Sequence, residues 1–444
     1  MAIHPIEYRY GTPEMKKIWT EEVRLRKFLE VEAALARAEA DVGLIPKEAA
    51  NTIAANLSKV KVSRVKEIED EIGHDMMAVV LALAEQCGDA GEWIHFGATS
   101  NDISDTALAL QLRDGIDILE RRLRGLKDIL VDLALEHKHT VCVSRTHGQI
   151  GVPTTYGLRF AIWASEVGRH LQRLNQLKPR ILVGQMSGAA GTGAAFSPFY
   201  MEIKDKTMQY LGLGAVDVSN QLIQRDRYAE FVMFLANVAT TLDKIGIALR
   251  TLQRSEIAEV EESFGSRQVG SSTMPHKRNP IKSEQVCGLA RIIRSKVEPA
   301  LLNNTLWDER DLTNSSCERI LFPEVMILTD HTINTMIKVL QHLQLHPENI
   351  RKNLDLLKGV NMSEAVMIEL AKRVGRQRAH DLLRTCAMNA RKTGKHMADA
   401  LLEDKEIIKH LSPSEIEHLM NPENYIGAAV EQVELVAKKL RDEP

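Results

Sequence analysis

Cysteine is scarce in this 444-residue chain. Cys87, Cys142, Cys287, Cys317 and Cys386 stand singly, and no C-x-x-C pair occurs. That pattern argues against a disulfide framework or a cysteine zinc site and leaves reduced thiols as packing residues. An excess of charge of one sign is also missing: 57 Lys and Arg against 60 Asp and Glu give a net charge of -3. With no global field to attract nucleic acid or an anionic membrane, neither is expected as a partner, and any anion site must be local. Long apolar runs are absent. The longest, residues 76–84, is far short of the roughly 20 residues that span a bilayer. The opening Met-Ala-Ile-His-Pro-Ile-Glu has no signal-peptide apolar stretch, so a cytoplasmic location is expected. No H-E-x-x-H occurs, and His137, His139 and His147 have no carboxylate or thiolate at ligand spacing; no metal site is expected. The glycine-rich residues 184–195 lack a P-loop lysine, so they read as a loop crossing between packed helices.

Helix signal is abundant and strand alternation is scarce. From Asp102 to about Lys138, Ile103, Leu108, Leu112, Ile116, Leu119, Leu123, Leu126, Leu130 and Leu133 keep a three-to-four spacing, with Thr99 and Ser100 placed as caps. Further long helices are predicted over about 154–177, 221–252, 283–303 and 322–345. Helices of this length point to a bundle. Shorter segments precede residue 98 and follow His346-Pro347, broken at glycines and prolines. The expected fold is all-α, in three helical domains: 1–98, a central long-helix bundle at 99–346, and 347–444. The apolar faces of the long helices exceed what one chain is expected to cover, so oligomerisation should complete the bundle.

The segment Gly270-Ser271-Ser272-Thr273-Met274-Pro275-His276-Lys277-Arg278-Asn279-Pro280 carries most of the chemistry. It sets two hydroxyls, a lysine and an asparagine between Pro275 and Pro280, with Gly265 and Gly270 as hinges, and reads as a mobile lid suited to an anion. This run resembles the signature loop of the fumarase/aspartase superfamily, whose members cleave C–N or C–O bonds by β-elimination and release fumarate. Two more segments match in the required order: Thr99-Ser100-Asn101-Asp102, and Ser144-Arg145-Thr146-His147-Gly148-Gln149.

Within the superfamily, Tyr8-Arg9-Tyr10-Gly11-Thr12-Pro13-Glu14-Met15, the His74-Asp75 pair, residues 310–319, Met362-Ser363-Glu364 and Arg378-Ala379-His380 resemble the adenylosuccinate lyase family over nearly the whole chain. Gly73 departs from it, standing where a basic residue is common. The resemblance implies fumarate release from adenylosuccinate, giving AMP, and from the succinylated aminoimidazole carboxamide ribotide. It implies no cofactor, and a homotetramer whose active sites draw on different chains.

Elimination needs a base beside a carboxylate, donors for the aci-acid that forms, and an acid for the leaving amine. Preorganised donors contribute about 3 kcal/mol each. By resemblance Ser271 is the base, activated near Lys277, while Lys277, Asn279, Thr99 and Ser100 hold the dianion together with the loop residues Ser272 and Arg278. His147, whose ordinary pKa suits donation near neutrality, is the acid; Glu284 orients it, or is an ordinary first-turn helix carboxylate. His74, with Asp75, assists binding or orientation. Arg9, Tyr10, Arg310, Ser315 and Arg319 grip the 5′-phosphate, and Gln221 the succinyl or base portion. Same-fold alternatives are a 3-carboxymuconate cycloisomerase or an argininosuccinate lyase; a non-catalytic helical scaffold is a third.

Overall fold

A computed structural model describes residues 3–264, 273–274 and 276–442. Gly265, Gly270, Ser271, Ser272 and Pro275 lie outside the described residues. The chain is mostly helical, as the periodicity predicts. The helices that position the site are α1 (Glu21–Asp41), α2 (Asp75–Ala84), α3 (Ser100–Glu136), α4 (Tyr156–Ile181), α5 (Asp226–Leu252), α6 (Ile281–Ser295) and α7 (Thr313–Gln341). By length and apolarity α5 could cross a membrane, yet most of its apolar window is packed inside the protein, with Phe231, Leu235, Val238 and Leu242 buried.

Boundaries depart from the sequence expectation where proline or a cap intervenes. The predicted 283–303 helix is interrupted at Lys296 and resumes as Val297–Leu302. The helix placed at 322–345 begins at Thr313 and runs through Pro323, because a proline costs one i to i−4 bond but longer flanking helix can absorb the loss. The 141–155 region is not helical. Strands β1 (Val141–Thr146) and β2 (Gln149–Thr155) form an antiparallel hairpin, with Arg145 opposite Ile150 and Thr146 opposite Gln149. Only His147 and Gly148 remain to turn the chain. Their φ values of 53° and 76° are the paired positive angles of a type I′ turn, which matches the twist of the flanking strands.

The residues group into two compact units, each discontinuous in sequence. The first holds the chain through Leu123, His170–Leu242 and Gly288–Asn334; the second holds Arg124–Arg169, Asp243–Cys287 and the chain from Thr335. Helices α3, α4, α5, α6 and α7 contribute to both. The sequence blocks divided near 98 and 346 describe order along the chain, whereas these units describe packing. In the first unit Leu25, Phe28, Leu29 and Leu35 of α1 pack with Met76, Val79 and Leu83 of α2 and Ile103 and Leu110 of α3. In the second, Val366, Leu370, Leu383, Met397, Leu401 and Ile416 form a core of shorter helices. All five cysteines are free, and burial pushes Cys142 up to about 11, as expected of an unreactive packing thiol.

The apolar face of α1 includes two acids seven residues apart. Glu32 is buried and lies 2.7 Å from the His95 Nδ1. Glu39 is wholly buried, and among the described residues neither of its carboxyl oxygens has a hydrogen-bond partner. Burial, then the charge of Glu32, push Glu39 up to about 9, so it is a neutral acid near pH 7. The folded chain therefore keeps a proton that the unfolded chain releases near its ordinary value of 4.5. This contribution to stability is full below that value and is lost as pH rises through about 9. Glu39→Gln removes the titration, so its melting temperature relative to the parent should climb steadily from about pH 6 to about pH 9. A difference that stays constant over that range contradicts the assignment.

Candidate active site

The first unit contains a cleft of about 330 Å³. Its floor is an ion network built from three distant parts of the chain. Arg225, just before α5, donates to Asp105 of α3 through Nη1 at 2.6 Å and Nη2 at 2.8 Å, and to Glu318 of α7 through Nε at 3.1 Å. All three residues are buried. Burial alone lowers the pKa of a guanidinium, but Asp105, then Glu318, outweigh it and raise that of Arg225. Burial raises Glu318 despite the opposing pull of Arg225. Asp105 also accepts from the Ile223 amide at 3.0 Å and from Asn101 at 3.3 Å, while Asn314 donates to Glu318 at 3.2 Å. Each buried charge is thereby met by hydrogen bonds, the condition for keeping such a group out of water.

Five residues selected from sequence line this cleft: Asp75, Ser100, Arg310, Ser315 and Arg319. Ser315 and Arg319 sit one turn apart at the start of α7, where Asp311 caps the helix by accepting from the Thr313 amide at 2.8 Å. Arg319 donates to Asp75, the first residue of α2. Burial raises the Asp75 pKa, but Arg319 reverses this and holds it below the usual carboxylate range. Arg310 donates to the neutral amide oxygens of Asn101 and, at 3.0 Å, Gln221. Burial lowers its pKa; Asp105 opposes this and Arg225 adds to it. His74 caps α2, its Nδ1 accepting from the Met77 amide at 3.2 Å. Gly73 ends the preceding helix at φ 68°, a left-handed conformation that explains glycine there better than a basic residue. Arg9 and Tyr10 do not line the cleft; Arg9 lies over the Tyr10 ring, which faces His331 at 5.4 Å.

The start of α3 explains the first signature segment. The Thr99 amide donates to Asp102 at 2.9 Å, and the Ser187 and Gly188 amides donate to the same carboxylate at 2.7 and 3.0 Å. Asp102 thus caps the helix and pins the glycine-rich crossing loop beside it, leaving Ser100 at the cleft wall.

In the second unit, His147 is exposed at the tip of the hairpin. The hairpin is anchored by buried Glu259, which accepts from Arg145 at 2.6 Å, Tyr156 at 2.5 Å and Asn353 at 2.9 Å. Lys277, Arg278 and Glu284 are exposed and Asn279 half-buried. Arg278 donates to Glu261 at 2.7 Å. Glu284 lies in the first turn of α6, and among the described residues no hydrogen bond joins it to His147. Glu262 caps α6, accepting from the Ser283 amide at 2.7 Å, its hydroxyl at 2.5 Å and the Lys282 amide at 3.1 Å. It ties together the chain on either side of residues 265–272. Sequence reading missed Asp105, Arg225, Glu318, Glu259 and Glu262, since a lone charge carries no sign of the partner that folding brings to it. Asp105, three residues beyond Asp102 on the signature helix, offered the only local hint.

A family described as Lyase matches residues 7–294, and one described as Adenylosuccinate lyase C-terminus matches residues 359–436. The chain is 55% identical to the adenylosuccinate lyase of Methanocaldococcus jannaschii, covering 100% of this chain and 97% of that protein. It is also 55% identical to the adenylosuccinate lyase of Pyrococcus horikoshii, covering 100% and 99%. Among solved structures, the 3-carboxy-cis,cis-muconate lactonizing enzyme of Pseudomonas putida superposes with a TM-score of 0.90 at 33% identity, covering 98% of each chain.

The floor network makes a stability prediction. Arg225→Gln leaves two buried carboxylates without their cation, so it should destabilise the fold by about 3–5 kcal/mol, read as a lowered denaturant midpoint. A loss below about 1 kcal/mol, the size expected of a surface pair, contradicts this role.

Proposed function

The chain belongs to the adenylosuccinate lyase family of the fumarase/aspartase superfamily, and from that membership we propose how its residues divide the reaction. The activity is that of the family, β-elimination of fumarate from adenylosuccinate to leave AMP. The likeness to a muconate lactonizing enzyme reflects a shared fold, and the full-length identity to the adenylosuccinate lyases sets that alternative aside. We extend the substrate range to the succinylated aminoimidazole carboxamide ribotide, which offers the same nitrogen-linked succinyl group and 5′-phosphate. The location proposed is the cytoplasm, and the three sequence blocks 1–98, 99–346 and 347–444 are kept as the domain description.

One observation carries the assignment of the nucleotide end. Asp75, Ser100, Arg310, Ser315 and Arg319, chosen from segments that together span more than two hundred residues of chain, converge on one cleft. In our reading Arg319 and Ser315 take the 5′-phosphate. Arg310, held by neutral partners, keeps its positive charge available to a substrate anion. Gln221, held against Arg310, faces the succinyl or base portion. Arg9 and Tyr10 are assigned to the phosphate by resemblance alone.

The chemistry is assigned to the three signature segments, Ser100 of the cleft among them. Ser271 removes the proton next to the carboxylate, and Lys277, Asn279, Thr99 and Ser100 hold the dianion that follows, with Ser272 and Arg278 beside them. His147 protonates the departing amine; Glu284 orients it, and His74 aids binding. A general acid standing exposed on a hairpin tip supports the view that a site is completed by another subunit, because burial in an assembly would supply the dry surroundings that acid catalysis needs. Exposed Trp307, Leu312 and Ile320 around the start of α7 are the apolar surface such an assembly would cover. We take the assembly to be a homotetramer.

The test uses subunit exchange. The parent protein should release fumarate from adenylosuccinate and not from argininosuccinate, while Ser271→Ala and His147→Ala should each lose several orders of magnitude in kcat. After mixing and exchange, about a quarter of the sites should hold both intact groups and recover activity. Hybrid oligomers that form and stay inactive contradict shared sites; turnover of argininosuccinate in place of adenylosuccinate contradicts the substrate.

A further inference from the structure

Arg24, in the second turn of α1, lines both the cleft and a recess that opens from it. Its side chain is 27% exposed, and its guanidinium lies 5.1 Å from the centre of the Phe28 ring. The carboxylate paired with it is Glu21, at 3.6 Å and itself largely in solvent. That is a weak hold. The other charged groups of the recess are engaged more closely: Lys66 with Glu69 at 2.8 Å, and Arg319 with Asp75 in direct contact. Burial, and next the positive charge of Arg319, lower the Arg24 pKa, and Asp75 feels both guanidiniums. Arg24 and Arg319 both line the cleft and the recess, so two cations stand at the same end of the cleft, with Glu21 and Asp75 as the acids lining both. Such a pair is unfavourable by itself and becomes favourable when an anion with several acceptor oxygens lies between them.

We propose that Arg24 is a further binding residue for the phosphate of the nucleotide, acting with Arg319 as a two-guanidinium clamp. The proposal rests on the reading that the Arg319 end of the cleft takes the 5′-phosphate. A single carboxylate, already supplied by Asp75, satisfies one fork; a phosphate dianion has oxygens for two. Phe28 beneath Arg24 fixes the plane of its guanidinium and lowers the entropy lost when the phosphate is gripped. Sequence reading passed over Arg24 because Arg24, Arg26 and Lys27 together look like the solvated face of an amphipathic helix.

The experiment compares inhibition by AMP with inhibition by adenosine, using the full-length parent and the Arg24→Gln, Arg24→Lys and Arg319→Gln variants. The ratio of the two inhibition constants isolates the phosphate. Arg24→Gln should weaken AMP about 10- to 100-fold, the usual span for a charge-assisted hydrogen bond, and leave adenosine unchanged. Arg24→Lys, which keeps the charge and loses the fork, should fall between. If Arg319→Gln lowers the AMP advantage and neither Arg24 variant does, the clamp is wrong and the phosphate end stands. If none of the variants changes the ratio, the placement of the phosphate fails, and the clamp with it. Equal weakening of AMP and adenosine by Arg24→Gln would mean a purely structural residue and overturn the proposal. Where Arg24→Gln does not fold, Arg24→Lys alone decides, by whether the ratio moves.

Discussion

A guanidinium removed from water persists only where carboxylates and hydrogen bonds replace its hydration, and Arg225 imposes that constraint on the centre of this protein. Asp105 and Glu318 must reach it together, which fixes the start of α3 against the start of α7. The consequences extend outward. Asp105 also holds the Ile223 amide and Asn101. Asn101 and Gln221 in turn hold Arg310. The cleft's outer cation is therefore aimed by a chain of contacts that begins at a buried one. A network whose charges are all hydrogen-bonded costs less than one that leaves a charge unmet, and it resists rearrangement.

The same logic reconciles a near-neutral composition with an anionic substrate. Net charge is only -3, so binding cannot rely on long-range attraction. The cleft instead separates two kinds of arginine. Arg225 is consumed by carboxylates inside the protein, while Arg310 has neutral partners and stays available to a ligand. The start of α7 adds Ser315 and Arg319 at the same place. In the second unit, chain geometry takes the place of charge: Glu259 anchors the hairpin bearing His147, and Glu262 closes the base of the segment bearing the loop.

Much of this was legible in the sequence where the signal is local. Helix periodicity located the long helices; the first signature motif picked out Ser100, and the family-like segments at 74–75 and 310–319 picked out Asp75, Arg310, Ser315 and Arg319, before they met in one cleft. The hairpin escaped because its second strand holds Gly151 and Pro153 and its turn is the unusual pair His147-Gly148, in which histidine takes a left-handed conformation more often occupied by asparagine or glycine. The first turns of α7 escaped because Pro323 looked like a start. Buried Glu39, Arg225 and Glu259 escaped for a deeper reason. Whether a charge is solvated or buried is decided by what packs on it, and that is set by contacts across more than a hundred residues of chain.

The central claim is that the cleft above Arg225 is the nucleotide site. Amide hydrogen exchange of the full-length protein with and without AMP tests it most directly. The account predicts slowed exchange at the start of α2 around Asp75, at Ser100, and across residues 310–319 when AMP is present. Protection that leaves those three segments unchanged while appearing elsewhere would contradict it.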